Sequence, residues 1–136
     1  MIRLLLSIVI GYLLGKERKR NEKAGGSRTM GIMCMSACLI ALLTLKIGEL
    51  EPAIHNFTRL MSYGIASIGF LGSGLIIQSK GHIEGLTSAS TIFALMIIGY
   101  CIGLGFYFYG IFSAICIYLL LESKYWHIAR SKDEKN

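Results

Sequence analysis

Long apolar runs alternate along the chain with short charged blocks. Most charged side chains collect in four blocks, at residues 16–28, 46–59, 80–84 and 122–135. A helix needs about 20 residues to cross the hydrocarbon core of a bilayer, with about 17 as the lower bound. Five runs meet or approach that length, at about 2–16, 29–48, 60–78, 87–104 and 105–121. The pattern predicts an all-α integral membrane protein, a compact bundle of about five transmembrane helices. The transmembrane domain covers 1–121, and a short basic tail covers 122–136.

The composition supports a membrane protein. Of the 136 residues, 54% are hydrophobic and only 16% are charged, which is too little charge to cover the surface of a soluble domain. A signal peptide is the competing interpretation of the first run, but the basic block follows that run instead of preceding it. The four cysteines lie in apolar runs without a C-x-x-C spacing. We therefore expect buried thiols and no metal site.

The loops carry an unequal share of the 14 lysines and arginines. Most of them fall in the loop 16–28, the loop 79–86 and the C-terminal tail, which five alternating spans place on one side. The positive-inside rule then predicts a cytoplasmic C-terminus and an N-terminus outside the plasma membrane. This topology, together with the attraction of basic loops to anionic lipid headgroups, explains why the chain has a net charge of +6. We therefore expect no nucleic-acid partner.

Small residues recur at helical spacing in three of the spans. Gly11 and Gly15 form a G-x-x-x-G pattern in the first span, and Gly99 and Gly103 form another in the fourth. Such patterns allow helix backbones to approach closely in lipid. They indicate a compact bundle or a tight homodimer. Gly103 and Gly105 also separate the last two spans, where they supply the positive φ of a tight turn.

The third span contains a stripe of small residues on one helical face: Ser62, Ala66, Gly69 and Ser73. Close packing against another helix explains Gly69 and Ser73. Gly72 and Gly74 lie off this stripe. They indicate either a second close neighbour or a local break in the helix.

Several polar residues lie near the predicted membrane boundaries, where an ionisable group is a functional candidate. They are Glu17, Arg18, Arg28, Thr29 and Arg59. The structural alternative is a set of snorkelling charges, or an ion pair between Glu17 and Arg28. No span contains an internal Asp or Glu, so we expect no proton relay or cage for a hard cation. Catalysis and a bound cofactor are not expected.

Hydroxyl side chains open the fourth span at Thr87 and Ser88. The simpler interpretation is that they cap the N-terminus of the helix. The functional alternative is that they face the cytoplasm and hold an anion together with the positive end of the helix.

Three segments carry a family resemblance: GYLLGKERKRNEKAGGSRT (11–29), RLMSYGIASIGFLGSGLII (59–77) and GLTSASTIFALMIIGYCIGLG (85–105). They resemble the three motif regions of the MgtC/SapB family of bacterial inner-membrane proteins. The positions that match these motifs are Gly11, Gly15, Glu17, Arg18, Arg28, Thr29, Arg59, Gly69, Phe70, Gly72, Gly74, Gly85, Leu86 and Thr87. The chain departs from the family pattern by an extra residue at Gly26-Ser27 and by Tyr63, Ser67 and Phe93.

The resemblance implies a role in adaptation to low magnesium and, in pathogens, in virulence through survival inside macrophages. Some members of the family act by restraining the membrane ATP synthase, so the resemblance makes that enzyme a candidate partner. We expect no soluble C-terminal domain of the kind that some members carry, because only about 15 residues follow the last span. Our first hypothesis is a regulator of magnesium or energy homeostasis that binds another membrane protein. The alternative is an oligomeric transporter or channel for Mg²⁺ or another small ion, lined by Glu17, Arg28, Arg59 and residues 69–74.

Overall fold

Five helices and one small hairpin make up the fold in the computed structural model, which describes residues 1–50, 59–79 and 82–133. The helices are α1 Ile2–Arg20, α2 Ser27–Leu50, α3 Arg59–Leu75, α4 Leu86–Leu104 and α5 Tyr107–Asp133. The hairpin pairs β1 Ile77–Ser79 with β2 His82–Glu84 in antiparallel register, with Gln78 opposite Ile83. The predicted all-α membrane bundle is confirmed, and the three-residue strands are its one addition within these ranges.

Among the described residues, α2 and α4 are long and apolar enough to cross a membrane. A shorter apolar segment covers Tyr107–Ser123 of α5. The last turn of α1 is basic, and α3 has only 17 residues. The final helix continues to Asp133, through most of the segment that the sequence analysis assigned to a tail.

Consecutive helices run in opposite directions. Gly15, late in α1, lies against Ser27 at the start of α2, whereas Gly11, earlier in α1, lies against Cys34, later in α2. Arg20 at the end of α1 meets Glu122, late in α5. One end of the bundle, here called the basic end, therefore carries the last turn of α1, the first turns of α2 and α4, and Glu122. The opposite end is called the far end.

The α1–α2 contact depends on two glycines without room for a side chain. A Cβ atom on Gly11 would lie 2.5 Å from the carbonyl oxygen of Met30 and 2.8 Å from the Cβ of Cys34. A Cβ atom on Gly15 would lie 2.5 Å from the Cα of Ser27. The predicted G-x-x-x-G pattern of the first span thus brings the two backbones into direct contact.

The α2–α4 contact uses the same device, further along the face of α2 that meets α1. A Cβ atom on Gly99 would lie 2.5 Å from the carbonyl oxygen of Cys34, and one on Gly103 would lie 2.6 Å from that of Cys38. The completely buried side chains of this region are apolar or small, and include Met30, Cys34, Cys38, Leu95 and Ile98. α4 is the central helix, since it contacts each of the other four described helices, and α2 meets the glycines of both α1 and α4.

The third helix packs on one side only. The Tyr100 hydroxyl of α4 donates to the carbonyl oxygen of Met61 at 2.9 Å, and Gly64 makes room for this ring. At the other end of α3, Gly72 is buried, and a Cβ atom there would contact Ala89 at 3.6 Å. The remainder of α3 is largely exposed.

These contacts correct the expectation for the small residues of α3. No atom lies within 4 Å of a Cβ placed on Gly69 or Gly74, and Ser73 is exposed. Gly72 instead has the close neighbour, because its face of the helix turns toward α4. The helix is continuous to Leu75, so Gly72 and Gly74 do not break it.

Two glycines make the turns that the chain needs at the ends of α4. Gly105 adopts φ +93° after the helix, and the amide of Phe106 donates to the carbonyl oxygen of Cys101 at 2.7 Å. This is the predicted tight turn, although Gly103 stays helical. Before the helix, Gly85 adopts φ +86°, and a Cβ atom there would collide with the carbonyl oxygen of Leu75. No larger residue fits at that approach.

Candidate functional site

A charged pair is buried at the basic end of the bundle. Glu17 and Arg18 lie in the last turn of α1, and their exposed fractions are only 4% and 5%. The partial negative charge at a helix C-terminus stabilises the guanidinium and disfavours the carboxylate. Glu17 therefore depends on nearby cations and donors, and Arg18 is its adjacent cation.

Arg18 connects α1 to the first turn of α4. Its Nη2 donates to Oγ of Ser88 at 2.8 Å, and the Ser88 side chain is almost completely buried. The expectation that Thr87 and Ser88 cap α4 is wrong, because Gly85 occupies the N-cap position and no side-chain cap bond forms. Ser88 Oγ instead accepts the hydrogen bond from Arg18, while Thr87 is exposed. A cation at the positive end of α4 is disfavoured by the helix dipole, so this position favours an accompanying negative charge.

The Glu17 carboxylate is only partly satisfied. Asn21 Nδ2 donates to Oε1 at 2.5 Å, whereas Oε2 lies 4.0 Å from Nη1 of Arg18, beyond hydrogen-bond length. Within the described residues, Glu17 Oε2 and Arg18 Nε are buried without a hydrogen-bond partner. The pair thus offers one acceptor and one donor beyond the bonds it already makes.

The donor set is unsuited to a cation cage. No group of three His, Cys, Asp or Glu side chains comes together in the part of the chain that the structure describes. A hard cation prefers several oxygen ligands, and Glu17 supplies a single carboxylate. The cluster of Glu17, Arg18, Ser88 and Asn21 can bind a small polar group or fix two helices.

The other charged candidates do not converge on this cluster. Arg28 and Thr29 are exposed in the first turn of α2, and the Glu17–Arg28 ion pair does not form. Arg59 lies at the far end, where it donates to the Tyr63 hydroxyl and stacks 5.5 Å from the centre of that ring. Among the described residues, Glu17, Arg28 and Arg59 therefore do not form the continuous polar path that the sequence suggested.

Sequence reasoning missed two connections that fix α1 at both ends. At the far end, Arg3 donates from Nη1 to the carbonyl oxygen of Gly103 and from Nε to the Tyr107 hydroxyl, both at 2.8 Å. At the basic end, Arg20 makes two bonds to the Glu122 carboxylate at 2.6 and 2.7 Å, and this carboxylate raises the pKa of Arg20. The available signal for Arg3 was a lone arginine at the start of an apolar run. In the structure this cation lies at the C-terminal end of α4, where the helix dipole favours positive charge.

Comparison with known proteins places this geometry in a family. The model of the MgtC family matches residues 4–128, which include all of α2, α3 and α4 and most of α1 and α5. The chain belongs to the MgtC family. The predicted resemblance is therefore confirmed, and the buried Glu17 and Arg18 lie within the matched region. No solved structure matches the chain.

Three relatives illustrate the extent of this similarity. An uncharacterized protein of Haemophilus influenzae is 31% identical over 121 residues, covering 85% of this chain and 51% of the relative. Protein SrpB of Synechococcus elongatus is 30% identical, covering 88% of this chain and 71% of the relative. The "putative magnesium transporter YhiD" of Escherichia coli K12 is 31% identical, covering 90% of this chain and 59% of the relative. The chain thus spans about half to seven tenths of the length of these relatives.

Proposed function

We propose that the protein acts in magnesium homeostasis in the bacterial inner membrane by binding another membrane protein through α3. Family membership and the magnesium-related name of one relative support the process. The ATP synthase is the partner that the family resemblance suggests, and a second copy of the chain is the other. The proposal retains the predicted topology, with the basic end in the cytoplasm, and assigns no catalytic reaction.

The observation that carries the proposal is the exposed stripe of small residues on α3, called here the α3 outward face. It comprises Ser62, Ala66, Gly69 and Ser73, all of which are exposed. Apart from its own helix, a Cβ atom on Gly69 meets nothing within 4 Å, so this glycine packs against no other helix of the described residues. In lipid, small residues allow the backbone of a second helix to approach. Phe70, next to the stripe and 82% exposed, supplies an apolar side chain for the same contact.

The centre of the bundle supports binding over conduction. α2 touches α1 and α4 at backbone distance through Gly11, Gly15, Gly99 and Gly103. The buried hydroxyls of Ser7 and Thr44 donate to carbonyl oxygens of their own helices, so they are already satisfied. The described interior therefore contains no row of free polar groups along which a hydrated cation would pass.

Ion transport is the second candidate function. The name of the Escherichia coli relative favours it, as does the buried carboxylate of Glu17 with its unpartnered oxygen. Because the bundle is closed at its centre, a path for Mg²⁺ would run between copies of the chain in an oligomer.

Substitution of Gly69 by leucine tests the docking role. We expect Gly69→Leu to abolish complementation of a deletion strain at limiting magnesium, because the side chain keeps a partner helix away from α3. The fold itself is preserved, since the site is open and leucine has a higher helix propensity than glycine by about 1 kcal/mol. Growth at limiting magnesium and cellular ATP are measured at matched protein levels.

Gly74→Leu is the matched control, because it places the same side chain in open space on another face of the same helix. We expect it to complement like the wild type. If both variants grew equally well, or both failed equally, the α3 outward face would have no specific role in docking. Unchanged growth and ATP in the deletion strain itself would overturn the role in homeostasis.

A further inference from the structure

A lateral groove separates the middle portions of α1 and α5. Its volume is about 820 Å³, within the range of small-molecule sites. The walls are aliphatic and include Ile10 and Leu13 from α1, with Ile111 and Ile115 from α5. The hydrogen bonds of Arg3 and Arg20 tie α1 to α5 at both ends of the bundle. The groove is therefore built into the fold, as an opening between two fixed points.

The basic end of this groove carries unpaired positive charge. Lys16 and Lys19 line it, both are exposed, and neither makes an ion pair within the described residues. Glu17 also lines the groove, but its charge is offset by the adjacent Arg18, and Arg20 is paired with Glu122. The two lysines thus present a net positive charge at the basic end of the apolar groove.

The dimensions of the groove match one leaflet of a bilayer. From Ile10 to Lys19, α1 rises about 14 Å at 1.5 Å per residue. The hydrocarbon core is about 30 Å thick, so one leaflet contributes about 15 Å. When the aliphatic walls lie among the acyl chains, Lys16 and Lys19 reach the depth of the phosphate headgroups.

We infer that this groove binds one anionic phospholipid, with an acyl chain between α1 and α5 and the phosphate against Lys16 and Lys19. Charge complementarity selects an anionic headgroup over a zwitterionic one, because each lysine near the membrane surface contributes separately to the attraction. Apart from Tyr118 near Arg20, the uncharged lining is aliphatic and offers no side-chain hydrogen bonds, which suits an acyl chain. The inference is independent of the α3 outward face.

The test measures lipid selectivity of the full chain in reconstituted bilayers. Spin-labelled phosphatidylglycerol and phosphatidylcholine are compared by the fraction that the protein immobilises, and native mass spectrometry counts the retained lipids. We expect the wild type to retain one phosphatidylglycerol in preference to phosphatidylcholine. In the variant that carries both Lys16→Gln and Lys19→Gln, we expect the preference for phosphatidylglycerol to fall about fivefold for each lysine removed.

Two further variants make the result specific. Lys46→Gln removes an exposed lysine of α2 at the far end and should leave the selectivity unchanged. Ile115→Trp fills the groove from an exposed position and should remove the retained lipid without altering the helical content. Unchanged selectivity after the double lysine substitution would overturn the inference. It would equally be overturned if a helix of a second copy occupied the groove, seen as a dimer mass without retained lipid.

Discussion

Substitution of Gly99 by leucine is expected to disrupt the bundle at its centre. A Cβ atom at this position would lie 2.5 Å from the carbonyl oxygen of Cys34 and 2.7 Å from the Cβ of Ala37. Both groups belong to α2, whose Cys34 also contacts Gly11 of α1. Overpacking of a filled core typically costs 1–3 kcal/mol. Because a backbone atom blocks this site, we expect a loss of about 3 kcal/mol or more in the free energy of unfolding.

Thermal and denaturant unfolding of the detergent-solubilised protein, followed by circular dichroism, measure this loss. Gly69→Leu is the matched control, because it places the same side chain on an exposed helix surface with no atom within 4 Å. It should unfold at or above the wild-type midpoint. If Gly99→Leu and Gly69→Leu unfolded alike, the backbone contact between α2 and α4 would not exist in the membrane protein.

Removal of the guanidinium of Arg18 is expected to have a comparable effect at the basic end. Arg18→Met leaves the buried Glu17 carboxylate without a cation within 4 Å among the described residues and deprives Ser88 of its donor. Loss of one partner of a buried ion pair typically costs 3–5 kcal/mol, since a buried charge stays uncompensated. We expect a decrease of about 3 kcal/mol in the free energy of unfolding.

A double-mutant cycle separates pairing from simple loss of packing. Glu17→Gln together with Arg18→Met removes both charges, so we expect the double variant to be more stable than Arg18→Met alone. Arg28→Met is the control, because Arg28 is exposed and should change stability by less than about 0.5 kcal/mol. Strict additivity of the two substitutions would show that Glu17 and Arg18 do not interact.

The sequence predicts the bundle well because its signals are local. Apolar runs separated by charged blocks define the helices, and G-x-x-x-G spacing identifies the glycines of α1 and α4 that contact α2. The turn at Gly105 follows from a glycine between two abutting spans. Each of these conclusions needs only the period of a helix and the length of a span.

The partners of individual side chains are less accessible from the sequence. Spacing shows that Ser62, Ala66, Gly69 and Ser73 share one face, but it does not show whether that face meets a helix of the same chain. Only the positions of α2 and α4 reveal that Gly72 packs inward and Gly69 points outward.

The charged cluster differs from the prediction for a related reason. In the sequence, an ion pair between Glu17 and Arg28 is a structural alternative, whereas adjacent residues on a helix, such as Glu17 and Arg18, do not face each other. In the structure, Nη1 of Arg18 lies 4.0 Å from Oε2 of Glu17, and the two side chains make no hydrogen bond to each other. What brings both side chains inside is the close approach of α1 to α2 and α4, which is a property of the packed bundle.

Uptake of Mg²⁺ into proteoliposomes tests the central claim most directly, namely that a closed bundle acts by binding a partner and not by conduction. The purified chain is reconstituted, external Mg²⁺ is added, and an indicator inside the vesicles reports entry, with an ionophore as the positive control. The account predicts uptake equal to that of empty vesicles. Saturable uptake above this level that Glu17→Gln abolishes would contradict it.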